Sequence, residues 1–338
     1  MLGWISRLFQ PSSSHLSTDE LEAGDSIFAP SFSPNADSSP TASDIDCAFL
    51  GLTLGVSEAR DGEMSQGEKS VLDNLRNVFL KQDLPENLVP RLPAVMPRIM
   101  MAIRDNNSSA ADLAQSISGD IALVGEVIRL ANSPYYRTSQ PIESLEQAIV
   151  MLGSNGIRQL IASAAFKPIL SPGSSHFVGN ASQYLWEKNL KAGQAGDCIA
   201  RPMGADRFHA YLSGLTGQAG IAVAMKQLDR QFTDGQTPSS ASFMNGLSRL
   251  SSQITVRIAR QWDLPGAVLE ALEDQLGDKE PEDMSPMGGI AFMSDKLAKL
   301  YILSKNGQLQ DQTGSIHCRL PGAMEEACVH CYSLIGET

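Results

Sequence analysis

Residues Ser144-Leu-Glu-Gln-Ala-Ile-Val-Met-Leu-Gly153 read as a capped amphipathic helix that ends at a glycine. Ser144 and Gln147 have the spacing of a capping box, in which each side chain satisfies a backbone N–H left open at the helix start. Behind that cap, Leu145, Ile149 and Leu152 recur at i, i+4 and i+7, the period of one buried face. Glu143 and Glu146 fall off the stripe and are expected in solvent. Gly153 and Gly156 bracket a tight helix–helix turn. Ile157, Leu160, Ile161 and Ala164 then resume the pattern until Lys167-Pro168.

The same period runs outward in both directions. Val71, Leu72, Leu75, Val78 and Phe79 give one helix face, and Leu92-Pro93 opens another carrying Met96, Ile99, Met100 and Ile103. Ser109 and Asp112 form a second capping box. Ile121, Val124, Ile128 and Ala131 line a helix that Asn132-Ser-Pro134 stops. Further on, residues 185–200, 208–225, 250–262, 265–276, 290–303 and 322–331 each read as one helix. No series of segments alternates with period two between turn residues. The fold class is therefore all-α, a compact multi-helix domain.

The chain has 338 residues and a formal charge of −12. An acidic balance of this size argues against a broad nucleic-acid grip, which needs clustered Lys and Arg. No stretch approaches the roughly 18–20 apolar residues of a membrane span. Five cysteines do not make a disulfide framework, so the expected compartment is the cytoplasm.

Residues 1–46 carry seven carboxylates against Arg7 alone, and Pro11 to Ser43 holds ten serines and four prolines. Such a composition cannot bury enough apolar area to offset its ordering entropy, so disorder is expected. Residues 1–9, with Leu2, Ile5 and Phe9 at helical spacing, lack the apolar length and cleavage site of a signal peptide. They read either as a peptide that docks weakly on a partner or membrane surface, or as a frayed terminus.

Chemistry-bearing patterns are few. There is no phosphate loop, dinucleotide fingerprint or nucleophile elbow. The five histidines are scattered. Glu270 and Glu273 read as a solvated helix face. His317-Cys318 with Cys328, His330 and Cys331 has zinc-ligand residue types, yet Cys328 and Cys331 stand three apart on one predicted helix. Two readings stand, a zinc site and buried thiols, and the helical placement favours the thiols.

Several ordered segments resemble the HDOD domain family. They are Leu92-Pro-Ala-Val-Met-Pro-Arg-Ile99, Leu113-Ala-Gln-Ser-Ile-Ser-Gly-Asp120, Val127-Ile-Arg-Leu-Ala-Asn-Ser-Pro-Tyr-Tyr136 and Ile142-Glu-Ser-Leu-Glu-Gln-Ala-Ile-Val-Met-Leu-Gly153. Leu185-Trp-Glu-Lys-Asn-Leu190, Ala210-Tyr-Leu-Ser-Gly-Leu215 and Ala259-Arg-Gln-Trp-Asp-Leu-Pro265 follow in order. The resemblance implies an all-α relative of the HD metal-dependent phosphohydrolases, in which His, His-Asp and a further Asp hold metals that activate water. HDOD domains are associated with bacterial signalling and generally lack that ligand set. Here the resemblance sets Lys188, Gly217 and Gln218 at the ligand positions. A glycine has no ligating side chain, an amide is a poor ligand, and an ammonium repels a divalent cation.

These readings divide the chain into a tail (1–64), a lead-in helix (65–84), an HDOD-like domain (85–277) and a C-terminal helical extension (278–338). The expectation is a non-catalytic regulatory or scaffolding protein of bacterial signalling, acting through a protein partner, with no cofactor and no metal. Two alternatives stay open. One is a sensor that binds a small anion or nucleotide through Lys188 and Gln218; the other is a hydrolase with an unrecognised site.

Overall fold

The computed structural model describes residues 41–56, 59–60, 62–80, 84, 89–90, 92, 96–97, 101, 109–136, 140–170, 176–232, 237–277, 279–308 and 322–336. Among them the secondary structure is helical, apart from one isolated β-bridge between Arg60 and Ser240. The readings of residues 1–40, most of 93–108, the loop 171–175, and His317-Cys318 lie outside the described residues.

The first helix, α1 (Ala42–Leu54), corrects the tail assignment. Thr41 and Asp44 make a reciprocal capping box, and Ile45, Phe49, Leu50 and Leu54 are buried against later helices. Acidity masked this helix in the sequence, because its apolar face is short and its core partners are distant in the chain. Next, α2 (Gln66–Leu80) buries Val71, Leu72, Leu75 and Phe79 as expected. Buried Glu68 accepts the backbone N–H groups of Ser239 and Ser240, each at 3.0 Å, and ties α2 to a distant loop.

The predicted box at Ser109 and Asp112 opens α3 (Ala110–Ile117). In α4 (Ile121–Ala131) the buried face differs from the expected one. Val127, Leu130 and Ala131 are inside, whereas Ile121 is 87% exposed, because the helix leans its C-terminal half on the helix that follows. Asn132 fixes the junction: its amide donates to the Ile142 carbonyl (2.7 Å) and accepts from the Ile142 N–H (2.8 Å). A 3₁₀ turn, Pro134–Tyr136, precedes α5 (Leu145–Leu170), which breaks at Gly153 with φ +68°. Leu145 and Ala148 are buried, Ile149 and Leu152 half-buried, and Glu143 and Glu146 exposed.

The long helix α6 (His176–Met203) is the spine, and α7 (Arg207–Thr216) and α8 (Ala219–Gln231) fold back on it. The expected single helix over 208–225 is thus two helices, divided at Gly217-Gln218. Thr255 explains the division. Its hydroxyl accepts the Gly220 N–H (2.9 Å) and donates to the Gly217 carbonyl (3.4 Å), so backbone groups opened by the break find a buried partner. Two glycines permit the close packing: a Cβ at Gly214 would lie 2.4 Å from the Ala192 carbonyl oxygen, and one at Gly220 2.0 Å from that of Ser251.

The remaining helices are α9 (Ala241–Gln261), α10 (Gly266–Glu273), α11 (Pro286–Lys305) and α12 (Gly322–Gly336). Most helices share one core. A second, smaller apolar cluster joins α6, α11 and α12. Between the halves of the molecule, buried Asp197 accepts a two-pronged contact from Arg207 (2.9 and 2.8 Å) and a hydrogen bond from Gln159 (2.7 Å). One further correction is covalent. Cys198 and Cys331, 133 residues apart, form a disulfide with Cα atoms 5.9 Å apart. Cys331 is therefore not a buried thiol, nor a thiolate ligand for zinc. Helix α12 docks on α6 and brings the two sulfurs together, which spacing along the chain could not foretell.

Candidate functional site

Four elements converge on a polar cleft of about 580 Å³. Helix α6 contributes Lys188, the α7–α8 turn contributes Gly217 and Gln218, α11 contributes Asp295, Lys296 and Lys299, and α1 contributes Asp46. All three positions singled out by the sequence resemblance thus meet in one place. The other four charged side chains were not foreseen. A signal did exist for α11: Asp295 and Lys299 stand i, i+4 in the middle of a mostly apolar helix, with Lys296 beside them. For Asp46 there was none, since it looked like one more tail carboxylate.

The floor of the cleft is a closed charge network. Lys188 is 1% exposed and pairs with Asp295 Oδ1. Lys299 bridges Asp295 (2.7 Å) and Asp46 (2.8 Å). Lys296 also binds Asp46 and stands 3.6 Å from Asp295. Gln218 Nε2 makes a long contact of 3.5 Å to Asp295 Oδ1. Aromatic faces complete the seat, with Lys299 5.8 Å from the Phe49 ring centroid and Lys296 5.2 Å from that of Phe292.

Three ammonium groups and two carboxylates leave one positive charge in excess. The titration shifts follow from that imbalance. Burial opposes the charge of Asp295, but Lys188, Lys299 and Lys296 outweigh it and hold the carboxyl well below the usual range. Asp46 is lowered in the same way by Lys296 and Lys299. Lys188 goes the other way. Burial, with the neighbouring Lys299 and Lys296 charges, pulls it down to about 8 against the attraction of Asp295.

The residues do not fit a divalent metal. A dication about 4 Å from one ammonium is repelled by roughly 8 kcal/mol at an effective dielectric of about 20, and three ammonium groups stand here. Asp295 and Asp46 are already spent on those cations. Among the described residues no group of three or more His, Cys, Asp or Glu side chains is placed to hold a metal ion. Nor is any helix among them long and apolar enough to cross a membrane.

The HDOD domain profile matches residues 89–276. Among solved structures, a candidate metal-dependent phosphohydrolase of Shewanella amazonensis SB2B is 18% identical, with a TM-score of 0.53 over 79% of this chain and 100% of that one. An HDOD domain protein with unknown function from Geobacter sulfurreducens is 17% identical, with a TM-score of 0.52 over 79% of this chain and 97% of its own. Likeness at this level of identity is a likeness of fold. By sequence, an uncharacterized protein of Treponema pallidum (strain Nichols) is 22% identical over 217 residues, 60% of this chain and 41% of that protein. YuxH of Bacillus subtilis (strain 168) is 36% identical over 63 residues, 19% of this chain and 15% of its own. The chain thus matches less than half the length of either relative.

Proposed function

The chain belongs to the HDOD domain family, and from that premise we propose that it is a non-catalytic regulatory or scaffolding protein of bacterial signal transduction, acting through protein–protein contacts. The observation that carries this reading is Lys188. Its buried ammonium and those of Lys296 and Lys299 supply, from the protein itself, the positive charge that a hydrolytic metal would bring. A fixed ammonium neutralises Asp295 but cannot acidify a water as a metal does. A candidate signal transduction protein of Marinobacter aquaeolei VT8 has a similar fold, 19% identical with a TM-score of 0.51, in keeping with a signalling role.

The test joins metal analysis with catalysis. Purified protein, given manganese or iron, is expected to retain less than a tenth of an equivalent and to leave phosphomonoesters and phosphodiesters intact. One bound equivalent, with hydrolysis that Asp295→Asn abolishes, would overturn the reading. Co-purification from the native host is expected to return a protein partner at fixed stoichiometry.

A second reading, ligand sensing, is favoured by the cleft volume and the net positive floor. In it Lys188 and Gln218 release Asp295 in part to bind an anionic group. Calorimetry with inorganic phosphate, repeated on Gln218→Ala, separates it from the first: heat that the substitution removes supports sensing, and no heat from either protein excludes it for phosphate.

A further inference from the structure

Helix α12 is held by an unusual balance of forces. Among the side chains described, it buries Ala327, Cys328, Cys331 and Ile335, with Tyr332 partly buried beside them. The Lys191 ammonium donates to the Ile335 carbonyl and lies 4.6 Å from the Tyr301 ring centroid, an anchor near the C-terminal end of the helix. A 15-residue helix is marginal without tertiary contacts, and small side chains supply little apolar area. The strongest tie is thus the Cys198–Cys331 bond, which closes a loop of 133 residues.

We propose that this disulfide is a thiol-exchangeable latch: a dithiol reductant opens it, α12 leaves its seat, and an apolar face of α6 and α11 is uncovered. Cys198 is partly exposed, whereas Cys331 is buried, so Cys198 Sγ is the atom an external thiolate reaches. That thiolate attacks Cys198 Sγ and the S–S bond breaks. The electron pair leaves on Cys331 Sγ, which takes a proton. The second thiol of the reductant then displaces Cys198 as a thiol, and the reductant ends as its own disulfide. Two electrons have passed to the protein.

The uncovered face holds Ala195 and Ile199 of α6 and Ile290, Met293 and Leu297 of α11. The same two helices carry cleft residues: α11 holds Asp295, Lys296 and Lys299, and on α6 Lys188 stands two turns before Ala195 on the same face. Opening the latch therefore acts on the two helices that build the cleft. In compartments that keep thiols reduced, protein disulfides are uncommon, and those that form are typically transient or sensory.

Hydrogen exchange followed by mass spectrometry on the whole, air-oxidised protein tests the latch, with dithiothreitol as the reductant. A peptide linking Cys198 to Cys331 is expected before reduction. After it, amides of 327–335 are expected to exchange at least tenfold faster, while those of 254–258 in α9 keep their rates. Cys331→Ser is expected to show the fast exchange with or without reductant, and Cys328→Ser to behave as the wild type. The latch is refuted by the absence of the linked peptide, by a bond that survives dithiothreitol in the folded protein, or by unchanged protection of 327–335 after reduction. The wild-type comparison needs no substitution, so a variant that fails to fold does not blunt it.

Discussion

Asp295→Asn and Lys188→Met remove opposite ends of one buried ion pair, yet they should differ sharply in cost. Asp295 serves Lys188, Lys296 and Lys299, so its loss leaves three ammonium groups facing Asp46 alone. Stripping the counter-charge from a buried cation costs about 3–5 kcal/mol. Lys188→Met instead leaves two cations against two anions. The fall of Lys188 from 10.5 to about 8 says that burial and its neighbours disfavour its charge by roughly 3 kcal/mol. Methionine nearly matches the volume, and such exchanges cost less than about 1.5 kcal/mol. Urea unfolding of the oxidised protein at pH 7, followed by circular dichroism, should therefore separate the two variants by about 2 kcal/mol or more. Equal losses, or a larger loss for Lys188→Met, would refute the charge count.

The pH dependence gives the same comparison a sign. Because the folded value of Lys188 lies below its unfolded one, the native state releases this proton first as pH rises. The unfolded chain then binds more protons between about 8 and 10.5, and the Lys188 contribution to stability grows through that window. The wild type should gain on Lys188→Met there; a constant difference from pH 7 to 10.5 counts against the assignment.

Three further outcomes are expected. Asp46 and Asp295 titrate below 3.8 in the folded state, so their contribution is present above that pH and lost as pH falls through their folded values; acid unfolding should set in below about pH 4 and at higher pH in Asp46→Asn. Asp197→Ala, which leaves Gln159 and part of Arg207 without their acceptor, should cost about 3–5 kcal/mol, whereas a loss under 1 kcal/mol, measured by urea midpoint, would deny the hub its role. Leu145→Ala should cost about 2–5 kcal/mol and half-buried Leu152→Ala less, with Glu146→Ala within about 0.5 kcal/mol; any other order in thermal melts overturns the helix register.

Local chemistry made much of the fold legible in the chain. The box at Ser109, the Ser144 hydroxyl that accepts the Gln147 N–H, the stripe of α2 and the break at Gly153 depend on residues a few positions apart, where hydrogen bonds and helical periodicity act directly. The Gln147 side chain accepts the Glu143 N–H instead of closing the expected box on Ser144. Lys188, Gly217 and Gln218 were singled out together by the resemblance to the HDOD family, not by local periodicity. Other features depended on groups far apart in sequence. Helix α1 carries tail-like composition and is stabilised by a core supplied by α6, α9 and α11. The division at Gly217-Gln218 rests on Thr255, 35 residues from the amide it accepts. Asp46 meets Lys296 and Lys299 only when α1 lies against α11, and Cys198 meets Cys331 only when α12 lies on α6. Helix formation is decided within a few turns of chain; charge pairing and disulfide bonding need two surfaces brought within a few ångströms, and that only packing decides.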